Sequence, residues 1–338
     1  MTRLPTVKHG LRETGWFCAM TIGLTGLSYA SLTAWAAVTR LWRHQPIDST
    51  LFRQSPFDME ALPVLAIAAA IFGLELLTSG WKNHSLRRLL VRERASDRVE
   101  LFYTLANISG ANAIFTVVMT FGLSAALEHF FQTGGLRLAA TLPLWAAVPL
   151  ALVMGDFCGY WGHRLMHSRL FWPLHAIHHA SEDMTGLTVF RSHPLDTLAA
   201  GIWFGLPLAL AGFAPEAVLI ASFLVVLHGV MIHAWMPYPA WLEPYLCGPR
   251  GHWVHHGLTP EHHDTNFAAI MLWDRLFGTY MPFPDVRPAT GVADPIYNTG
   301  RPVHEMIAVL RVWIAGLIEA ARPARTAPPA QGQTAQTA

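Results

Sequence analysis

The chain has 338 residues, 52% of them apolar and only 13% charged, with a formal charge of +1. Globular domains average about a quarter charged residues, so a chain that is wholly a soluble domain is excluded, and so is the basic footprint of a nucleic-acid binder. Three scattered cysteines, Cys18, Cys158 and Cys247, exclude a disulfide framework and a thiolate metal site.

Residues 1–14 are polar and mildly basic. Trp16–Val38 carries no charged side chain and is long enough to cross a hydrocarbon core of about 30 Å; without a small-residue cleavage site it reads as a span, not a signal peptide. A loop holding Arg40, Arg43, Asp48 and Arg53 leads to a second span, Ala61–Ser79, whose Glu75 is expected to be protonated or paired within the bundle. Trp81–Arg98 reads as a loop; its Lys82, Arg87, Arg88, Arg92, Arg94 and Arg98 mark it as cytoplasmic by the positive-inside rule. Leu101–Leu127 then crosses outward, Glu128–Arg137 turns, and Leu138–Gly155 returns, bent by Pro143 and Pro149.

The returning span leads into a run of histidines. His163 and His167 are four apart and share a helix face, with His175, His178 and His179 forming a triple on another face. Thr197–Ala214 and Ala217–Trp235 form an apolar hairpin, full or re-entrant, that brings His228 and His233 back to the same end. Gly248–Tyr280 reads as soluble and repeats the triple as His252, His255 and His256. His304–Ala321 reads as an amphipathic surface helix, and Arg322–Ala338, rich in Pro, Ala, Gln and Thr, as disordered. The predicted fold is all-α: a multi-pass membrane helical bundle with a cytoplasmic, histidine-rich helical cap. Its units are N-terminal spans (1–140), a catalytic region (141–285), a C-terminal segment (286–321) and a tail (322–338).

A lone histidine is usually a satisfied polar group, but packing gives no reason to concentrate so many. Clustered imidazoles suit iron, zinc, copper or nickel, whereas calcium and magnesium want oxygen. Asp156 lies two helical turns before His163 and is expected to orient an imidazole by accepting its N–H, with a helix-end role as the competing reading. His228 is five residues before His233, about 140° round an ideal helix, and is read as a possible ligand. The isolated His9, His44, His84, His129 and His304 are read as structural or solvated.

The order of motifs is D-x-x-x-Y-W-x-H-R-x-x-H (156–167), H-x-x-H-H (175–179), R-S-H-P (191–194), His233 after the hairpin, H-x-x-H-H (252–256), N-F (266–267) and W-D-R-L-F-G-T-Y (273–280). From about Gly155 to Tyr280 it resembles the membrane fatty acid hydroxylase / sterol desaturase superfamily. The resemblance implies a non-haem di-iron site on the cytoplasmic side, with His163, His167, His175, His178, His179, His233, His252, His255 and His256 as ligands. Nine imidazoles exceed the four that close a structural zinc site, which argues for two metal ions. Arg191, His193, His262 and Asn266 are expected to line the pocket or support the ligands; His262 and His263 read as surface loop or as support for the ligands, not as ligands. The implied activity is hydroxylation or desaturation of an unactivated lipid C–H bond with O2 as co-substrate. Electrons would come from an external donor of the cytochrome b5, ferredoxin or flavin-reductase type, because the chain has no C-x-x-C-H, no Gly-rich dinucleotide fingerprint and no H-P-G-G. A bis-histidine b-haem electron carrier using His228 or His233, and a metal transporter, are the alternatives. The lipid stays open, with a lean toward the sterol desaturase branch and away from sphingolipid hydroxylases.

Overall fold

The computed structural model describes residues 72–108 (apart from 74, 78, 79, 83, 92 and 93), residue 139, and residues 141–321 apart from 235–237 and 284–285. The expected span Trp16–Val38, most of Ala61–Ser79 and Leu101–Leu127, the turn Glu128–Arg137 and the tail Arg322–Ala338 lie outside the described residues.

Helices α1 (Ser85–Val91), α2 (Ala95–Ile108), α3 (Leu144–Met166), α4 (Trp172–His179), α5 (Pro194–Ala211), α6 (Pro215–His233), α7 (Pro249–His255), α8 (Leu272–Leu276) and α9 (Pro302–Ala320) follow in chain order. Among the described residues there is no strand, only the isolated bridges Leu246–Ile270 and Gly257–Thr290. Proline opens α4, α5, α6, α7 and α9 within their first two positions, where its missing N–H costs nothing. Gly212, at φ 73°, ends α5 in the left-handed conformation that glycine takes without strain, and α6 starts three residues later.

Helices α3, α5 and α6 are long and apolar enough to cross a membrane. They pack through small residues, as helices in lipid do. Ala147 and Ala151 on α3 meet Leu208 of α5 and Ala217 and Ala221 of α6. Further along α3, a Cβ on Gly155 would stand 2.4 Å from the Phe204 ring, and one on Gly162 would stand 2.1 Å from Trp203. The opposite stripe of α3, Leu150, Val153, Phe157, Trp161 and Leu165, is exposed, the face a bilayer would cover.

Two expectations need correction here. The span expected to end at Gly155 continues unbroken to Met166: Pro143 is the N-cap, and Pro149 is absorbed within the helix. One rigid element therefore carries both Asp156 and His163. The basic stretch Trp81–Arg98 is not a loop; it forms α1 and the first turn of α2, because Leu86 and Val99 are buried against the rest of the cap. Glu75 is paired as expected, accepting from Ser85 N at 3.1 Å and Ser85 Oγ at 2.6 Å. His84, read as structural or solvated, is buried, with Nε2 2.9 Å from the Phe72 carbonyl oxygen.

The cap consists of α4, α7 and α8 with their loops, braced by α2 and α9. Val99 and Tyr103 of α2, Leu174 and Ile177 of α4 and Val309 of α9 share one core with Met166 at the end of α3. The helix expected over His304–Ala321 is present as α9, and it buries Val309 against α4 and α2.

Candidate metal centre

The three long helices alternate in direction, so the C-terminal end of α3, the N-terminal end of α5 and the C-terminal end of α6 all lie against the cap. His163 and His167 end α3, Asp196 begins α5 and His233 ends α6. Short helices α4 and α7 add one H-x-x-H-H each.

The nine histidines expected as ligands gather into two groups of converging nitrogens. One is His163, His167, His175, His179 and His255; the other is His178, His233, His252 and His256. Within each group the donor atoms lie within 4.8 Å of one another. The triples do not act as units, as the sequence reading had them. Residues four apart share a face, so His175 and His179 serve the first group while His178, about 100° round the helix, turns to the second. On α7 the roles are exchanged: His252 and His256 serve the second group and His255 crosses to the first.

Backbone and carboxylate oxygens hold the outward nitrogens. The Nδ1 atoms of His163, His178, His233 and His255 lie 2.9, 3.1, 2.6 and 2.7 Å from the carbonyl oxygens of Phe267, Arg191, Gly229 and Thr265. A carbonyl only accepts, so each Nδ1 carries the proton and each Nε2 keeps a lone pair. His175 Nδ1 faces Asp196 Oδ2 at 3.0 Å, and His167 Nδ1 faces Asp264 Oδ1 at 3.2 Å. The inward nitrogens then approach one another. Nε2 of His163 is 3.1 Å from that of His255, and Nε2 of His178 is 3.2 Å from that of His233. These are lone pairs facing lone pairs. Burial pushes the pKa of His178, His179, His252, His255 and His256 well below the ordinary histidine value, with neighbouring imidazoles adding to the shift, so protonation does not relieve the contact.

A cation between the nitrogens does. Metal–imidazole bonds of about 2.1 Å at right angles put donors about 3.0 Å apart, matching the observed spacings. His256 gives the same answer: it is 1% exposed and neither ring nitrogen has a hydrogen-bond partner, an arrangement that costs free energy unless a metal takes one of them. The residues fit a metal centre.

The remaining expected residues sort differently. Asp156 touches no imidazole. Its carboxylate accepts from Ala269 N, Ile270 N and Trp273 Nε1 at 3.0, 2.9 and 3.0 Å. Asp274 of W-D-R-L-F-G-T-Y accepts from Phe267 N and Ala268 N at 2.8 and 3.0 Å. Two carboxylates thus fix four consecutive amides of the loop whose carbonyls hold His163 and His255. Asn266, at φ 51°, ties that loop to Gly251 O and to Met281 N and O. Arg191 is fully buried; its guanidinium donates to Ile177 O, Ser96 and Asn298, while its carbonyl holds His178. His193 caps α5, accepting from Leu195 N at 3.1 Å, which sets the helix turn bearing Asp196. His228 is in neither nitrogen group; its Nε2 is 2.9 Å from Cys247 O. His262 lies against Thr259 Oγ1 at 3.0 Å and beneath Gly257, in neither nitrogen group, and His263 is exposed.

Asp196 and Asp264 were not anticipated. Asp196 follows R-S-H-P by two residues, and the spacing in sequence gives no sign that it reaches His175.

The sequence model for the fatty acid hydroxylase family matches residues 148–279. Alkylglycerol monooxygenase of Homo sapiens is 34% identical over 158 residues, 44% of this chain and 33% of that protein. Methylsterol monooxygenase 2-2 of Arabidopsis thaliana is 30% identical over 159 residues, 44% of this chain and 59% of that protein. Very-long-chain aldehyde decarbonylase GL1-8 of Oryza sativa subsp. indica is 29% identical over 175 residues, 49% of this chain and 65% of that protein. The chain spans about a third of the length of the alkylglycerol monooxygenases it matches. No solved structure matches it.

Proposed function

We propose that this chain, which belongs to the fatty acid hydroxylase/sterol desaturase superfamily through residues 148–279, is a membrane di-iron oxygenase that hydroxylates or desaturates an unactivated C–H bond of a lipid. The observation that carries this reading is the convergence of protonless Nε2 atoms at 3.1 and 3.2 Å in two adjoining groups. His163, His167, His175, His179 and His255 would hold one iron, and His178, His233, His252 and His256 the other. Iron there would supply the dioxygen activation that an unreactive C–H bond requires.

The chain's own groups supply position and surroundings. Asp196 and the carbonyls of Phe267, Thr265, Arg191 and Gly229 fix each tautomer and aim each imidazole inward. Nine neutral ligands hold divalent iron without adding negative charge at the ligand positions. Among the described residues, the two sites differ in that only the five-histidine group has carboxylates, Asp196 and Asp264, against its outward nitrogens. A lipid drawn from the bilayer would reach the site along the apolar α3–α5–α6 shaft, which keeps bulk water from the reacting carbon. The relatives named as monooxygenases and as an aldehyde decarbonylase support oxidative lipid chemistry. The catalytic unit would be 141–285, with the site on the cytoplasmic side by the charge of Lys82–Arg98, and the electrons would come from a separate reductase or carrier. A bis-histidine haem is disfavoured, since His228 is held by Cys247 O and His233 by the nitrogen cluster.

His178→Ala and His255→Ala each remove one ligand from a different group. Both should lower bound iron and abolish product formation by about a hundredfold or more. Unchanged turnover in either variant removes the proposal.

A further inference from the structure

Helix α4 has only eight residues, yet it carries His175, His178 and His179 of the cluster. A helix that short does not hold its shape alone, and the last carbonyls of any helix lack partners within it. The segment before α9 supplies them. Tyr297 donates its hydroxyl to Pro173 O at 3.1 Å, at the start of α4, and Asn298 Nδ2 donates to Ala180 O at 2.6 Å, just past its end. Asn298 Oδ1 accepts from Arg191 Nη2 at 2.6 Å. Arg191 also donates Nε to Ile177 O at 2.7 Å, and its own carbonyl faces His178 Nδ1 at 3.1 Å. A guanidinium only donates and a carbonyl only accepts, so the Asn298 amide has one possible orientation and both its ends are engaged. Asn298 stands at φ 64° and Gly300 at 72°, left-handed positions that asparagine and glycine tolerate best. Thr299 Oγ1 donates to the buried Glu305 Oε1 at 2.7 Å, which fastens this turn to the start of α9. Residues 297–305 lie beyond the stretch that matches the family model.

We propose that Asn298 is a positioning residue for the metal centre, setting through Ala180 and Arg191 how the histidines of α4 face the metal. It touches no imidazole. It acts on the backbone on either side of His178 and His179: directly at Ala180, and through Arg191 at Ile177. The same arginine supplies the carbonyl that fixes the His178 tautomer, so one side chain steadies both the helix and the oxygen that aims its ligand. α4 feeds both nitrogen groups, His178 one and His175 and His179 the other, so a shift of this helix disturbs the two together. The inference rests on the reading of the cluster as a metal centre, and the hold on α4 is measurable without metal.

The test compares the full chain with Asn298→Gly and Asn298→Asp. Glycine keeps the left-handed backbone at no cost, so what it loses is the side chain. Aspartate keeps the bond from Arg191 but turns a second acceptor toward Ala180 O. In metal-free protein, both variants should raise hydrogen exchange in 172–183 and leave 144–158 unchanged. Affinity for cobalt(II), measured by competition with a chelator well below the melting temperature, should fall roughly tenfold in both, with a changed visible spectrum from the altered imidazole geometry. Leu208→Ala, in the shaft core away from α4, is the control for stability alone: it should lower the melting temperature and leave the cobalt spectrum as it was. Exchange unmoved in both variants would overturn the hold on α4, whether or not the chain takes metal. Raised exchange with unchanged cobalt affinity and spectrum would overturn the positioning role, as would an Asn298→Asp variant that behaves like the parent chain. A parent chain that takes no metal while exchange still rises would remove the metal reading and with it this role, leaving α4 held for folding alone.

Discussion

At the scale of single residues, the account turns on which atoms hold each imidazole. Among the described residues, Asp196 against His175 is the buried carboxylate paired with a histidine of the cluster, with side-chain exposures of 8% and 9%. Asp196→Asn should lower iron affinity or activity by about 10- to 100-fold. Asp264→Asn should cost much less, because that carboxylate is 70% exposed and water can replace it. Iron titration of the two variants side by side checks the order. Acid gives a second expectation. The folded pKa values of His179, His252, His255 and His256 lie below the ordinary 6.5 because burial disfavours the charged ring. As pH falls through about 6.5, the unfolded chain therefore takes up protons that the folded one refuses, so metal-free protein should be most stable above that value and lose stability below it. Thermal unfolding of the metal-free chain against pH reads this directly; stability that rises on acidification would contradict it. Sequence spacing paired His163 with His167 because i, i+4 geometry is local, whereas the full set of nine imidazoles was implied by the family resemblance. It misassigned Asp156, which shares a face with His163 but is claimed by the amides of Ala269 and Ile270, more than a hundred residues away.

Among the elements, α3 is the clearest case of sequence chemistry and packing acting together. Its glycines are not equivalent. Gly162 sits against the Cβ and Cγ of Trp203, atoms that cannot swing aside, whereas Gly159 has open space around its Cα. Gly162→Ala should destabilise the protein by about 1–3 kcal/mol through overpacking, while Gly159→Ala should be neutral or stabilising by up to about 1 kcal/mol through helix propensity. Melting temperatures in one detergent distinguish them. The apolar hairpin α5–α6 was legible from hydropathy and from Pro215. The division of each H-x-x-H-H between two groups was not, because it depends on how α4 and α7 face each other across the site. Nor was the folding of Trp81–Arg98 into α1 and α2: a run of basic residues reads as solvated, and only the burial of Leu86 and Val99 shows that its other face belongs to the cap.

At the scale of the whole molecule, the three membrane-length helices among the described residues deliver their site residues to one end, and a cap made of short helices closes over them. The histidine cluster draws its side chains from α3, α4, α6 and α7, and a metal held there would tie these elements together, so removing metal should loosen the cap more than the shaft. Hydrogen exchange should rise on chelation in 172–183 and 249–267 and stay low along 144–158; uniform exchange would contradict it. Lipid extracts of cells with and without the chain should differ by a lipid that has gained one oxygen or lost two hydrogens. The most direct measurement of the central claim is the iron content of the anaerobically purified full chain. Two iron ions per chain, one for each histidine group, with His255→Ala and His178→Ala each losing metal, is the expected result; an iron-free chain that still oxidises lipid would contradict it.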